Sequence, residues 1–338
     1  MLKHEERIAL TLRFLVSLST VEVAHGLMVP VTTMQQRLVR AKRRIRTMGI
    51  SFSVPPRELL PERLAAVQRV VYLLFAEGFA RSAGAAHVRD DLTEEAIRLT
   101  RMLRQLMPGS AETVSMLGLL LLTQARRPAR TDEGGRPVPL AEQDRSRWDA
   151  SLIHEGLRLA EWAASAPGAG PYAIQAAIAA VHAEAVDFDA TDWPQIAVLY
   201  RMLESYEPSP VVRLGRAVAW GRAHGMHEGL AQLDALSGEP ALERFRPFHI
   251  ARALTLEDIG DAEAAMEAYR RALQLPGNEA ESEFLISALV GLERLQGGAA
   301  EPMNAYAKGS SRCAPALSPR SARIRDTAWS VMWCSLSR

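Results

Sequence analysis

Apolar residues recur along this chain at helical spacing almost throughout, and few stretches alternate with the period of two that a strand requires, so an all-helical protein is expected. The pattern is punctuated by Pro and Gly. Breaks fall at Ala83-Gly84, Pro108-Gly109, Ala125 to Pro139, Ala166 to Pro171, Asp187 to Pro194 and Glu207 to Pro210. Near the N-terminus two short helical patterns flank Val29-Pro30-Val31, where the proline turns Val29 away from helical geometry. The first opens on a capping box, Ser19 with Glu22 three residues on, and a second box is expected at Thr32 and Gln35. From Thr33 onward Met34, Leu38, Ala41 and Ile45 share one narrow stripe, which must pack on supporting helices. The opposite side holds Thr33, Gln36, Arg37, Arg40, Arg43 and Arg44. Arg donates in a fork that fits guanine edges and phosphates, and Gln can pair with adenine, so this face carries the chemistry of DNA readout as well as that of a solvated surface.

Charge distribution bears on that choice. Residues 1–50 hold nine basic against three acidic residues, a net +6, while the whole chain is at +1, so the remainder carries about −5. A basic head on a mildly acidic body is an electrostatic footprint for a polyanion.

Domain boundaries follow from the breaks. Residues 1–52 form a helix-turn-helix head, and Ser51 to Pro61, with Pro55-Pro56 and Pro61, reads as a linker that leaves the head either mobile or docked on the body. Helical domains are expected over 61–165 and 170–298, and a Ser-, Arg- and Pro-rich tail over 299–338 is expected to be disordered. Within 211–295 the run Gly260-Asp261-Ala262-Glu263 starts a helix whose Ala264, Ala265, Ala268, Tyr269, Ala272 and Leu273 alternate small and large apolar residues. It resembles the second half of a tetratricopeptide unit, with Ala217, Ala219 and Trp220 as a degenerate copy. Such a repeat either fills its own core or holds a peptide or partner domain on its concave side.

Thr33-Met34-Gln35-Gln36-Arg37-Leu38-Val39-Arg40-Ala41-Lys42, preceded by Ser19-Thr20-Val21-Glu22-Val23-Ala24, resembles region four of bacterial sigma factors of the extracytoplasmic-function group. Further motifs follow in order: Pro61-Glu62-Arg63-Leu64-Ala65-Ala66-Val67, Tyr72-Leu73-Leu74-Phe75-Ala76-Glu77-Gly78-Phe79, Arg127-Pro128-Ala129-Arg130-Thr131-Asp132, Glu142-Gln143-Asp144-Arg145-Ser146-Arg147-Trp148-Asp149 and Thr191-Asp192-Trp193-Pro194-Gln195-Ile196. Together they are similar to a subgroup with a tetratricopeptide-like extension, over roughly residues 5 to 297. The resemblance implies binding of the minus-35 promoter element, with RNA polymerase core as partner and a protein regulator on the helical body. It places Gln35, Gln36, Arg37 and Arg40 at the DNA, with Thr32 and Thr33 near a phosphate at the helix start. Arg43 and Arg44 complete the DNA-facing set. Met28 departs from the family pattern, in which many such turns have Gly. Family members begin with region two, which binds polymerase and melts DNA, and this sequence starts a few residues before region four; either a fragment or a remnant that binds DNA without opening it is expected. The alternative is an interaction scaffold whose helix-turn-helix is vestigial.

Candidate chemistry is sparse, and neither catalytic residues nor a cofactor is expected. Glu184, Asp187, Asp189 and Asp192 cluster near His182, but the Asp residues before Trp193-Pro194 read as turn and cap formers, and the calcium-loop pattern is lacking, so no metal is expected. His224 and His227 lack two further ligands. Cys313 and Cys334 lie in the tail and indicate neither a disulfide framework nor a metal site. The loop Arg126 to Pro139, with Arg127, Arg130 and Arg136, reads as a solvated surface loop, contact with DNA or polymerase being its other reading. The greasiest run, Leu117 to Leu122, is far shorter than the ~20 residues of a membrane span, and Lys3 to Arg7 stand where a secretory leader would be apolar, so a cytoplasmic protein without membrane partners is expected.

Overall fold

The computed structural model describes residues 2–48 and 56–298, and over these the protein is all-helical. Among the described residues the extended structure is confined to one isolated antiparallel bridge, Thr131 to Pro137. The tail from Ala299, with both cysteines, and residues 51–55 of the expected linker lie outside the described residues.

The head consists of α1 (His4–Phe14), α2 (Thr20–Gly26) and α3 (Val31–Met48). Ile8, Ala9 and Leu12 of α1 are buried together with Val23 and Ala24 of α2 and Met34, Leu38 and Ala41 of α3, so the stripe read from the sequence is the packed face, with Ile45 half-buried at its end. The body starts with a 3-10 turn, Arg57–Leu59, that feeds α4 (Leu60–Phe79), where Pro61 sits in the first turn and loses no hydrogen bond. Helix α1 packs on α4, and α2 meets it at Gly26 and Leu73. The head is therefore docked on the body, and one apolar core runs from Ile8 to Leu292.

Helices α5 (Asp90–Leu106), α6 (Ala111–Ala125), α7 (Ala150–Ser165) and α8 (Pro171–Glu184) follow. Leu117 to Leu122 falls in α6, which is apolar on all sides because α4, α5, α7 and α8 all pack on it. The second half contains α9 (Trp193–Tyr206), α10 (Pro210–His224), α11 (Met226–Ala235), the single turn α12 (Pro240–Glu243), α13 (Arg246–Asp258), α14 (Ala262–Leu273) and α15 (Glu279–Gly298). Helices α10 and α11 cross at a glycine pair: a Cβ on Gly229 would stand 2.7 Å from Gly221 Cα. Helix α14 begins where the sequence placed it, with the Asp261 carboxylate accepting from Ala264 N–H at 3.1 Å.

The two ends of the body meet. Glu279 N–H donates to Gly84 O at 2.9 Å, Ala280 N–H to Ala85 O at 3.3 Å, and Asn278 Nδ2 to Arg81 O at 2.9 Å, so the start of α15 is stapled to the loop after α4.

Candidate nucleic-acid interface

The turn between α2 and α3 fixes where α3 points. Ser19 Oγ accepts from Glu22 N–H at 3.2 Å and the Glu22 carboxylate accepts from Ser19 N–H at 2.6 Å, forming the expected capping box. At the other end of α2, Val29 N–H bonds Ala24 O and Met28 N–H bonds His25 O, the pairing of a helix end closed by one left-handed residue. That residue is Met28, at φ 52°, a conformation that costs an L side chain roughly 1–2 kcal/mol. The turn thus keeps the left-handed shape that Gly usually supplies. Helix α3 begins at Val31, with Pro30 O accepting from Met34 N–H at 3.0 Å. Thr32 therefore lies inside the first turn, and the capping box expected at Thr32 and Gln35 does not form. Pro30, which has no N–H to satisfy, takes the position before the helix instead.

The expected DNA-facing residues share the outer side of α3. Thr32, Gln35, Gln36, Arg40, Arg43 and Arg44 are exposed, and Thr33 and Arg37 are half-buried. Two of the arginines engage α1: Arg37 Nη1 lies 2.8 Å from Glu5 Oε2, and Arg44 Nη1 lies 2.9 Å from Glu6 Oε2. Glu6 also accepts from Lys3 N–H at 2.8 Å, so the carboxylate that closes the start of α1 anchors the far end of α3 as well. Exposed pairs of this kind contribute roughly 0.2–1 kcal/mol, which a phosphate can replace. Lys42 Nζ lies 4.9 Å from the Phe14 ring centre, and Arg40 Nε folds back to Gln36 O at 3.4 Å. The arrangement offers a row of donors with four guanidinium groups, Arg37, Arg40, Arg43 and Arg44, on one helix side.

The polar loop after α6 corrects the sequence reading. Arg130 is fully buried: its guanidinium carbon lies 3.3 Å from the Phe79 ring centre, Nη1 donates to Phe79 O, and Nη2 is 3.3 Å from His87 Nε2. Arg127 grips Asp90 through two hydrogen bonds, and Arg136 pairs with Asp132 at 2.8 Å. Arg130 therefore belongs to the interior, whereas Glu133 to Arg136 stay exposed as the surface-loop reading expects. Asn278 completes the cluster, with Nδ2 at 3.3 Å from His87 Nδ1. Burial, and next the Arg130 charge, lower the His87 pKa to about 3, so the ring is neutral. Nearby, Arg246 Nη1 lies 3.3 Å from Glu281 Oε2 with both side chains buried, and a Cβ on Gly277 would collide with that guanidinium. Nothing in the local sequence marks this network, since its members are drawn from segments far apart.

The acidic cluster resolves into turn chemistry. Asp187 accepts from Ala190 N–H at 2.8 Å, Asp192 caps α9 through Gln195 N–H at 2.9 Å, and His182 is buried 5.2 Å from the Trp193 ring centre. Arg145 binds the carbonyl oxygens of His182 and Ala185. His224 stacks on Trp220 at 3.8 Å, while His227 is exposed. Among the described residues no group of three or more His, Cys, Asp or Glu is placed to hold a metal ion, and no helix is long and apolar enough to cross a membrane.

The family comparison falls on the body. A family model described as a family of unknown function (DUF6596) matches residues 63–164, the stretch from α4 to α7 that contains His87, Arg127 and Arg130. An uncharacterized protein of Rhizobium meliloti (strain 1021) is 41% identical over 280 residues, which cover 83% of this chain and 66% of that protein. The chain thus spans just under two thirds of the relative's length. No solved structure matches the chain.

Proposed function

We propose that this protein is a transcription regulator of the extracytoplasmic-function sigma-factor type, which binds the minus-35 promoter element through α2 and α3 and works with RNA polymerase core. The observation that carries the reading is the outer side of α3, where Gln36, Arg37, Arg40, Arg43 and Arg44 stand together at the surface of a head with net charge +6 in its first 50 residues. Gln36 and Arg37, toward the start of the helix, suit base edges, whereas Arg43 and Arg44, toward its end, suit phosphates. The body then serves as a tetratricopeptide-like scaffold, with the pairs α10/α11 and α13/α14 as its repeats, and takes a protein regulator.

Fluorescence anisotropy of the intact chain against promoter-element and scrambled duplexes at two salt concentrations tests this. Binding should be sequence-dependent and steeply salt-sensitive. Arg37→Ala or Gln36→Ala should erode sequence preference, and Arg43→Ala should weaken all duplexes alike and reduce the salt slope by about one. Equal losses on every sequence for all three would remove the readout assignment. No binding at low salt would remove the DNA reading itself.

A second reading, an interaction scaffold with an idle head, is supported by a trough of about 700 Å³ between α9, α10 and α11, lined by Val198, Arg201, Arg213, Arg216 and Trp220. Retention of core polymerase by the intact chain without any DNA shift would favour it.

A further inference from the structure

A cavity lies where the head meets the body. Val21, Met28 and Val31, flanking the turn between α2 and α3, form one wall, and Ser82, Phe245 and Leu275 of the body form the other. Its volume is about 250 Å³. At roughly 30 Å³ for each water-sized unit it has room for about eight to ten non-hydrogen atoms, too few for a nucleotide or a folded peptide. The lining is largely apolar, with three polar exceptions.

Ser82 is 3% exposed and its Oγ has no hydrogen-bond partner, although its backbone N–H donates to Glu77 Oε1 at 2.9 Å. A buried hydroxyl without a partner is unfavourable, so the site is left with one hydrogen bond to supply that it does not use internally. Arg244 also lines the cavity, exposed to solvent, and its guanidinium makes no ion pair among the described residues. His25 is the third polar group, and no carboxylate side chain lines the space. Met28 adds an independent sign. It holds a left-handed backbone that Gly would adopt without strain, yet its side chain is part of the wall, which a Gly there would remove.

We propose that this cavity binds a small, largely apolar carboxylic acid, its carboxylate on Arg244 and Ser82 Oγ and its hydrocarbon between Val21, Met28, Phe245 and Leu275. Because the walls come from both head and body, the bound acid bridges them. The site stands on these contacts alone and does not require that α3 bind DNA.

The test is calorimetric titration of the full chain with octanoate and benzoate, with octanamide as the uncharged control. Octanoate binding is expected, together with a concentration-dependent rise in the thermal-unfolding midpoint. Octanamide should bind about tenfold more weakly, as loss of a charge-assisted hydrogen bond requires. Ala241→Phe, which fills the cavity from the body side, should abolish binding. Arg244→Gln should weaken octanoate about tenfold and leave octanamide unchanged. Arg244 is at the surface, so that variant tests the site even where Ala241→Phe perturbs folding. No heat with either acid at millimolar concentration, or octanoate affinity that survives either substitution, overturns the proposal.

Discussion

Head and body use arginine in opposite ways. In the head, Arg37 and Arg44 reach across the surface to Glu5 and Glu6, and their partners are water-accessible carboxylates that another anion can displace. In the body, Arg130 is sealed against the Phe79 ring and carbonyl and beside His87, and Arg246 is sealed with Glu281. A guanidinium at the surface keeps a partner that can be exchanged, whereas one in the interior is a fastener whose removal leaves groups without partners. The position of the charge in the fold, rather than the residue type, decides which role it has.

The largest effect that sharpens this contrast is expected from Arg130→Ala. It deletes a buried side chain, empties its volume and strands the Phe79 carbonyl, for a loss of about 3–5 kcal/mol that a fall in the thermal-unfolding midpoint would report. A shift as small as that of a surface substitution would break the comparison. The body should also be the acid-sensitive part. His87 titrates near 3 when folded and near 6.5 when unfolded, and His182 is lowered too, by burial first and then by Arg126 and Arg145. Below pH 6.5 the unfolded chain takes up protons that the folded chain refuses, so stability present above that pH is lost as pH falls toward 3. His87 alone costs about 1.4 kcal/mol per pH unit in that window. His87→Gln should flatten the slope measured by denaturant unfolding at pH 4 to 7; an unchanged slope would place the acid sensitivity elsewhere. In the head, Ser19→Ala removes one cap and should cost about 1 kcal/mol. Smallest of all, Arg37→Ala should change stability by less than about 0.5 kcal/mol while altering DNA preference, and a larger stability loss would make Arg37 a fastener like Arg130.

Features written in nearby residues were legible from the sequence. The Ser19 cap, the Met34, Leu38, Ala41 stripe, the Asp261 start of α14 and the helix breaks all depend on residues within a turn or two of each other, and all appear in the structure. The cap expected at Thr32 failed because Pro30 competes two residues earlier for the same boundary, a choice that local propensity leaves open. Arg130 was read as part of a solvated loop because Arg in a Gly- and Pro-containing stretch is ordinarily exposed, as Arg136 is, and only Phe79, His87 and Asn278, supplied by other elements, make burial of Arg130 tolerable. The head–body cavity was invisible for the same reason, since its lining joins the α2–α3 turn to Ser82 and to Phe245 and Leu275, segments far apart along the chain.

The staple between Asn278 and the loop after α4 has a consequence for how the chain is made. Asn278 and Arg81 are 197 residues apart, and at the usual pace of about 5–20 residues per second the ribosome needs roughly 10–40 s to travel between them. During that interval the first helices of the body are already outside the exit tunnel while the loop that carries His87 waits for its closing partner. Nascent chains of this protein therefore pass through a window in which their N-terminal half is unlatched, a state the finished molecule no longer has.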